Sequence, residues 1–192
     1  MATLPLPRMT LRQYLDREQR SEARHEFLDG EIFEMEAATF RHQQIGIQLV
    51  GALRPGLNSH GCEIHFSGTR VATSQQGLYT YPDLVIMCGQ PKFWDSDPDT
   101  LCNPKAIIEI LSRGTRDYDR GTKFKLYRSL ASLEEYLNVH QDSPCVEHHT
   151  RQADGSWVTR DFNGLDAVLH LTSVPIDIPF SVIYAGIEFD AA

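Results

Sequence analysis

The chain has 192 residues, 41% hydrophobic and 23% charged, which excludes a disordered or fibrous chain and predicts one soluble domain over 1–192. Acidic residues outnumber basic ones 26 to 18, and the formal charge of -8 argues against a polybasic, histone-like binder. No run approaches the ~18 apolar residues of a membrane span, and Cys62, Cys88, Cys102 and Cys145 form no C-x-x-C motif, so reduced thiols in a cytoplasmic protein are expected.

Thr10 followed by Gln13 has the form of a capping box, and Leu11, Tyr14 and Leu15 give a short amphipathic helix to about Glu22. From His25 to Met35 the pattern predicts two strands joined by Asp29-Gly30, a dipeptide that suits a type I′ turn because both central residues need positive φ. Thr39 caps a second helix to about Asn58, with Ile45, Leu49, Leu53 and Leu57 on its inner face and His42 one turn earlier. Strands are predicted at 62–72, 79–87 and 105–111, with a Pro/Asp/Asn-rich surface loop from Gly89 to Pro104. A helix is predicted over 115–131, then strands at 134–140, 145–151 and 157–162, and a short helix from Pro179-Phe180 through Tyr184. This order predicts an α/β (α+β) fold, a mixed central sheet flanked by helices, with an N-terminal helix and β-hairpin.

Two strands carry an acid among apolar residues. In Ala106-Ile-Ile-Glu-Ile-Leu111, a charged, unpaired and buried Glu109 would cost several kcal/mol. It reads either as a partly exposed position with a cationic partner or as a metal ligand or catalytic acid. Asp83 opens the apolar run after Tyr81-Pro82, which alone is ordinary turn chemistry. Together, two adjacent strands with one carboxylate each would place oxygen ligands side by side for a divalent cation. Lys123 follows on the next helix, between Asp119 and Tyr127 on one face, either as a surface ion pair or as a cation for a phosphate. Residues 111–130 hold six Arg or Lys against two Asp, a local +4 within an acidic chain. The adjacent His148-His149 point to opposite faces of a strand and cannot share a metal. Phe93 and Trp94 lie in the predicted loop, to stack on bases or to pin the loop.

In this order the residues resemble the PD-(D/E)XK nuclease superfamily, and within it the bacterial branch described as restriction endonucleases. The resemblance spans about Thr10 to Phe189. It rests on Glu26-Phe-Leu-Asp-Gly-Glu31, His42-Gln43, Pro82-Asp83-Leu84, Ile108-Glu-Ile-Leu-Ser112 with Thr115, Asp119-Arg-Gly-Thr-Lys123 with Tyr127, and Glu135-Tyr136. It implies that Asp83 and Glu109 bind Mg²⁺ or Mn²⁺, with the Ile110 carbonyl as a further ligand. The superfamily lysine normally stands two residues after the strand acid, where this chain has Leu111, so its role passes to Lys123 on the following helix. Lys125 is the fallback, about 160° away on a regular helix. Glu26 matches an acidic position of the branch and would orient water or bind a second ion, while His42 is either a supporting site residue or a satisfied core histidine. His140 departs from the branch, which often has aspartate there.

The implied activity is Mg²⁺-dependent endonucleolytic hydrolysis of DNA phosphodiesters, by a homodimer with no membrane association. The alternative is a catalytically inactive nuclease-fold module binding nucleic acid or a protein partner. A third reading is a structural homodimer.

Overall fold

Asp29 and Gly30 both take positive φ, 50° and 83°, the handedness a two-residue hairpin turn requires. They join β1 (His25–Leu28) to β2 (Glu31–Glu34), and Glu26 pairs with Phe33 while Phe27 pairs with Ile32. Alternation then sorts the hairpin into two faces. Phe27 and Ile32 pack with Tyr14 and Tyr79, whereas Glu26, Leu28 and Phe33 turn toward the cleft described below. Tyr14 belongs to α1 (Leu11–Glu18), whose Thr10–Gln13 capping box forms in both directions and whose end falls short of Glu22. The computed structural model describes residues 8–94, 97–112, 114 and 116–189. Thr115 of the family pattern, and Arg113 of the basic segment, lie outside these.

Thr39 caps α2 (Phe40–Ser59) by accepting the His42 amide at 3.2 Å. The inner face is as predicted, with Ile45, Leu49, Leu53 and Leu57 fully buried. Gly46 allows the helix to approach the sheet, because a Cβ there would lie 2.4 Å from the Phe66 ring. Gly46→Val should therefore overpack this contact and destabilise the protein by about 1–3 kcal/mol, read from denaturant midpoints.

The mixed α+β fold is as expected, but its strands are divided between two six-stranded sheets rather than gathered in one. One has the order β2-β1-β5-β4-β8-β7, using β4 (Arg70–Ala72), β5 (Tyr79–Thr80), β7 (Phe93–Trp94) and β8 (Asp97–Leu101). The other runs β12-β11-β10-β9-β6-β3, using β3 (Cys62–Phe66), β6 (Leu84–Cys88), β9 (Ala106–Leu111), β10 (Glu135–His140), β11 (Cys145–Arg151) and β12 (Trp157–Asn163). The chain leaves the second sheet after β3 and returns at β6, so Tyr81-Pro82-Asp83 lies between sheets. The polar composition of 89–104 hid β7 and β8, which pair with each other and set Leu101 beside Val71 of β4. A C-terminal hairpin of β13 (Val168–Leu171) and β14 (Ile176–Pro179), before α5 (Phe180–Ile183), was also not apparent in the sequence.

The predicted helix at 115–131 is shorter and irregular: α3 (Arg116–Tyr118), a π-helical turn (Asp119–Lys123) and α4 (Phe124–Tyr127). Tyr136 of β10 donates its hydroxyl to the Asp119 carbonyl at 3.0 Å and braces that turn. Such wide turns recur at functional sites.

The cysteine expectation needs correction for one pair. Cys62 and Cys88 are register partners in β3 and β6, 4.0 Å apart at Cα, and are joined by a disulfide. Their 26-residue separation concealed a contact that strand pairing creates. Cys102 and Cys145 are free thiols.

Glu135 ties β10 to the C-terminal hairpin, accepting hydrogen bonds from the Thr172 and Ser173 amides and hydroxyls and pairing with His148 Nε2 at 2.9 Å. Burial by itself would raise its pKa, but the bonds from His148, Ser173 and Thr172 outweigh burial and hold it at about 2. The depressed pKa contributes about 3 kcal/mol of stability above pH ~4.5, lost as pH falls toward 2. Acid unfolding of Glu135→Gln should show a flatter profile across that window, with lower stability at pH 7. His148 and His149 face opposite ways, His149 meeting Thr159 at 2.7 Å.

Candidate active site

Asp83 and Glu109 are neighbours because β6 and β9 run antiparallel with Leu84 opposite Ile108. Reciprocal bonds lock them in place: the Ile110 amide donates to Asp83 Oδ2 at 2.7 Å, and the Asp83 amide donates to Glu109 Oε2 at 3.3 Å. His42 Nε2 lies 3.1 Å from Asp83 Oδ2. Thus α2 supplies a support for Asp83 that the helix's apolar stripe only hinted at.

Glu109 is 4% exposed, which discards the partly exposed strand reading. Its Oε1 accepts from the Tyr127 hydroxyl at 3.0 Å and from Lys123 Nζ at 3.3 Å. Lys123, only 5% exposed, also reaches Glu26 at 2.7 Å and Asp119 at 3.1 Å. It is therefore no surface ion pair. Glu26 is held in turn by the Thr80 hydroxyl. Lys125 is exposed, as a position on the opposite side of the helix should be.

Three carboxylates thus surround one ammonium, with Asp83 beside Glu109. Burial, opposed by Lys123 and reinforced by Asp119, Asp83 and Glu26, pushes Glu109 up to about 8. Burial would lower the Lys123 pKa, but Glu109, Glu26 and Asp119 overcome this and raise it well above the usual lysine range. The causes differ: acidic neighbours hold the proton on Lys123 against burial, whereas burial itself disfavours the charged form of Glu109. A divalent cation is the natural partner for such an excess of hard oxygen donors.

These residues line one cleft of about 440 Å³. Its floor is Asp83, Glu109 and Lys123; one wall is the hairpin face of Glu26, Leu28 and Phe33 with the segment to Thr39; Ser112, Gly114, Tyr118 and Gln141 complete it. All five site residues predicted from sequence (Asp83, Glu109, Lys123, Glu26 and His42) meet here. Sequence reasoning missed the hydroxyl of Thr80, and it noted Tyr127 and Tyr136 in the family pattern, and Tyr127 on the face of Lys123, without a role for either hydroxyl. Among the described residues no group of three His, Cys, Asp or Glu side chains is placed to hold a metal ion by itself. Two carboxylates side by side could contribute to a divalent-cation site completed by water and phosphate oxygens.

A family model described as "Uma2: Putative restriction endonuclease" matches residues 11–182. Two Synechocystis sp. proteins, both described as "Uncharacterized protein", are similar throughout. One is 30% identical over 88% of this chain and 95% of its own length; the other is 31% identical over 96% of each. A crystal structure described as a putative nuclease belonging to DUF820, from Anabaena variabilis, shares the fold with a TM-score of 0.75 and 16% identity. The match covers 92% of this chain and 98% of that one.

Proposed function

This chain belongs to the Uma2 family of the PD-(D/E)XK nuclease superfamily, and on that premise we propose that it is a metal-dependent endonuclease acting on DNA. The observation that carries the reading is the convergence of Asp83 and Glu109, bonded to each other's strands at the floor of a cleft that also holds Lys123. Asp83, Glu109 and the Ile110 carbonyl would hold Mg²⁺ or Mn²⁺. The chemistry such an ion supplies is a lowered pKa for a water and polarisation of the phosphate.

The chain's own groups do the rest. The Ile110 amide and His42 fix the Asp83 carboxylate, while Tyr127 and Lys123 fix Glu109. Lys123 keeps a positive charge at the cleft floor, where charge builds on the phosphoryl oxygens during hydrolysis. Glu26 anchors Lys123 from the hairpin side. The buried setting strengthens each of these interactions relative to water.

One observation favours a second reading, a nuclease-fold module that binds without cutting: Lys123 is already engaged by three carboxylates. Incubation with circular DNA, single- and double-stranded, separates the two. Nicking or linearisation with Mg²⁺ or Mn²⁺, abolished by EDTA, is expected. Binding to DNA with no cleavage under any divalent ion would establish the second reading.

A further inference from the structure

We propose that the cleft takes single-stranded DNA, one nucleotide entering with its base against Phe33 and its phosphate toward Asp83. The inference rests on the nuclease reading of this site and goes beyond it to the form of the substrate.

Three observations carry it. The first is enclosure. Glu109, Lys123 and Glu26 are 4%, 5% and 6% exposed, and the cleft's ~440 Å³ is of the size that encloses one small ligand. The exposed Glu36 of the wall lies beside Gly114, its Oε2 3.4 Å from where a Cβ there would sit. A continuous duplex keeps its scissile phosphate flanked by paired and stacked bases, which hold it away from groups so enclosed. An unpaired strand can bend a single nucleotide into the cleft.

The second is the wall. Phe33 shares a face with Glu26, its cross-strand partner, and keeps 37% of its surface exposed beside Leu28. An exposed aromatic ring above phosphate-binding chemistry is what unpaired bases stack on. The family pattern did not include Phe33, and the aromatic pair singled out in the sequence, Phe93 and Trp94, lines no part of the cleft.

The third is charge. Beside the cleft-lining Gln141, Arg41 and Arg116 converge on Asp142 at 3.9 and 3.6 Å, all three partly exposed. The opposite wall contributes Glu34 and Glu36, both exposed. A duplex presents two phosphate rows across a groove about 6 or 12 Å wide. Two guanidinium groups sharing one carboxylate leave a net positive charge on that rim, which suits a single phosphate row, while the acidic wall opposite repels one.

The test uses the full chain carrying Asp83→Asn, so that bound DNA is not cut. Anisotropy of a labelled 20-mer in Mg²⁺ is compared with that of its blunt duplex at one salt concentration. Single-stranded binding is expected to be at least about tenfold tighter, and Phe33→Ala should weaken it about tenfold, without shifting the melting temperature. Duplex binding as tight as single-stranded binding, or unchanged affinity in Phe33→Ala, would overturn the proposal. Cleavage by the unmutated chain is read separately on single-stranded and relaxed duplex circles. Preferential cutting of the duplex overturns the single-strand proposal and leaves the nuclease reading intact. A single-strand preference in binding with no metal-dependent cleavage of either circle supports the substrate form and removes the nuclease reading.

Discussion

Asp83→Asn should lower metal-dependent DNA cleavage by at least about a hundredfold, because losing a ligand costs more than the 10–100-fold typical of losing an outer-shell partner. Asparagine keeps the shape and can still accept from the Ile110 amide, which reaches Asp83 at 2.7 Å in the native protein. The folded state should therefore survive, with a melting temperature close to that of the parent. What disappears is one negative charge and the donor strength of a carboxylate toward a hard cation. Single-turnover cleavage over a range of Mn²⁺ concentrations distinguishes the causes. A metal-binding role predicts partial recovery at high Mn²⁺, whereas undiminished cleavage would mean that the chemistry lies elsewhere.

Lys123→Met should have the largest effect on stability. The ammonium lies within 3.3 Å of Glu26, Glu109 and Asp119, each nearly inaccessible to water. Removing it strands buried carboxylates without their counter-charge, which typically costs about 3–5 kcal/mol. For a chain of this length the melting temperature should drop by roughly 10 °C. Adding Glu26→Gln to Lys123→Met should restore part of that loss, since the second change removes one of the stranded charges. The four stabilities form a double-mutant cycle. Additive effects across the cycle would show that Lys123 and Glu26 do not depend on each other.

Much of this site is legible in the sequence because its acids break the hydrophobic pattern. Glu109 interrupts a buried strand and Asp83 opens another, and antiparallel pairing of β6 with β9 makes them neighbours. The hairpin was equally plain, since Asp29-Gly30 permits few other turns. What could not be read depends on contacts between distant segments. The hydroxyl of Tyr136 meets the Asp119 carbonyl only because β10 lies beside β9, and Cys62 meets Cys88 only through strand register. The strands at 93–94 and 97–101 escaped notice because their composition is that of a loop, and their place is set by the pairing of 97–101 with β4 and of 93–94 with 97–101. The role of Lys123 was visible only in outline. Periodicity placed it on the face with Asp119 and Tyr127, but not at the centre of three carboxylates.

The opening charge also looks different once distributed. Much of the basic segment at 111–130 is neutralised locally: Arg116 by Asp142, Arg120 by Glu147, and Lys123 by the carboxylates of the cleft. Among the described residues, positive charge is therefore local rather than broad, as on the rim of Arg41 and Arg116, and Glu26, Asp83, Glu109 and Asp119 form an acidic cluster in the cleft. Affinity for DNA should consequently be modest without a divalent ion and fall with added salt.

A crystal structure with Mn²⁺, located by its anomalous signal, tests the central claim most directly. One ion is expected in the cleft, with oxygens of both Asp83 and Glu109 in its coordination shell, and none there in an Asp83→Asn, Glu109→Gln double variant. A cleft that stays empty at saturating Mn²⁺ while the fold is intact would contradict that claim.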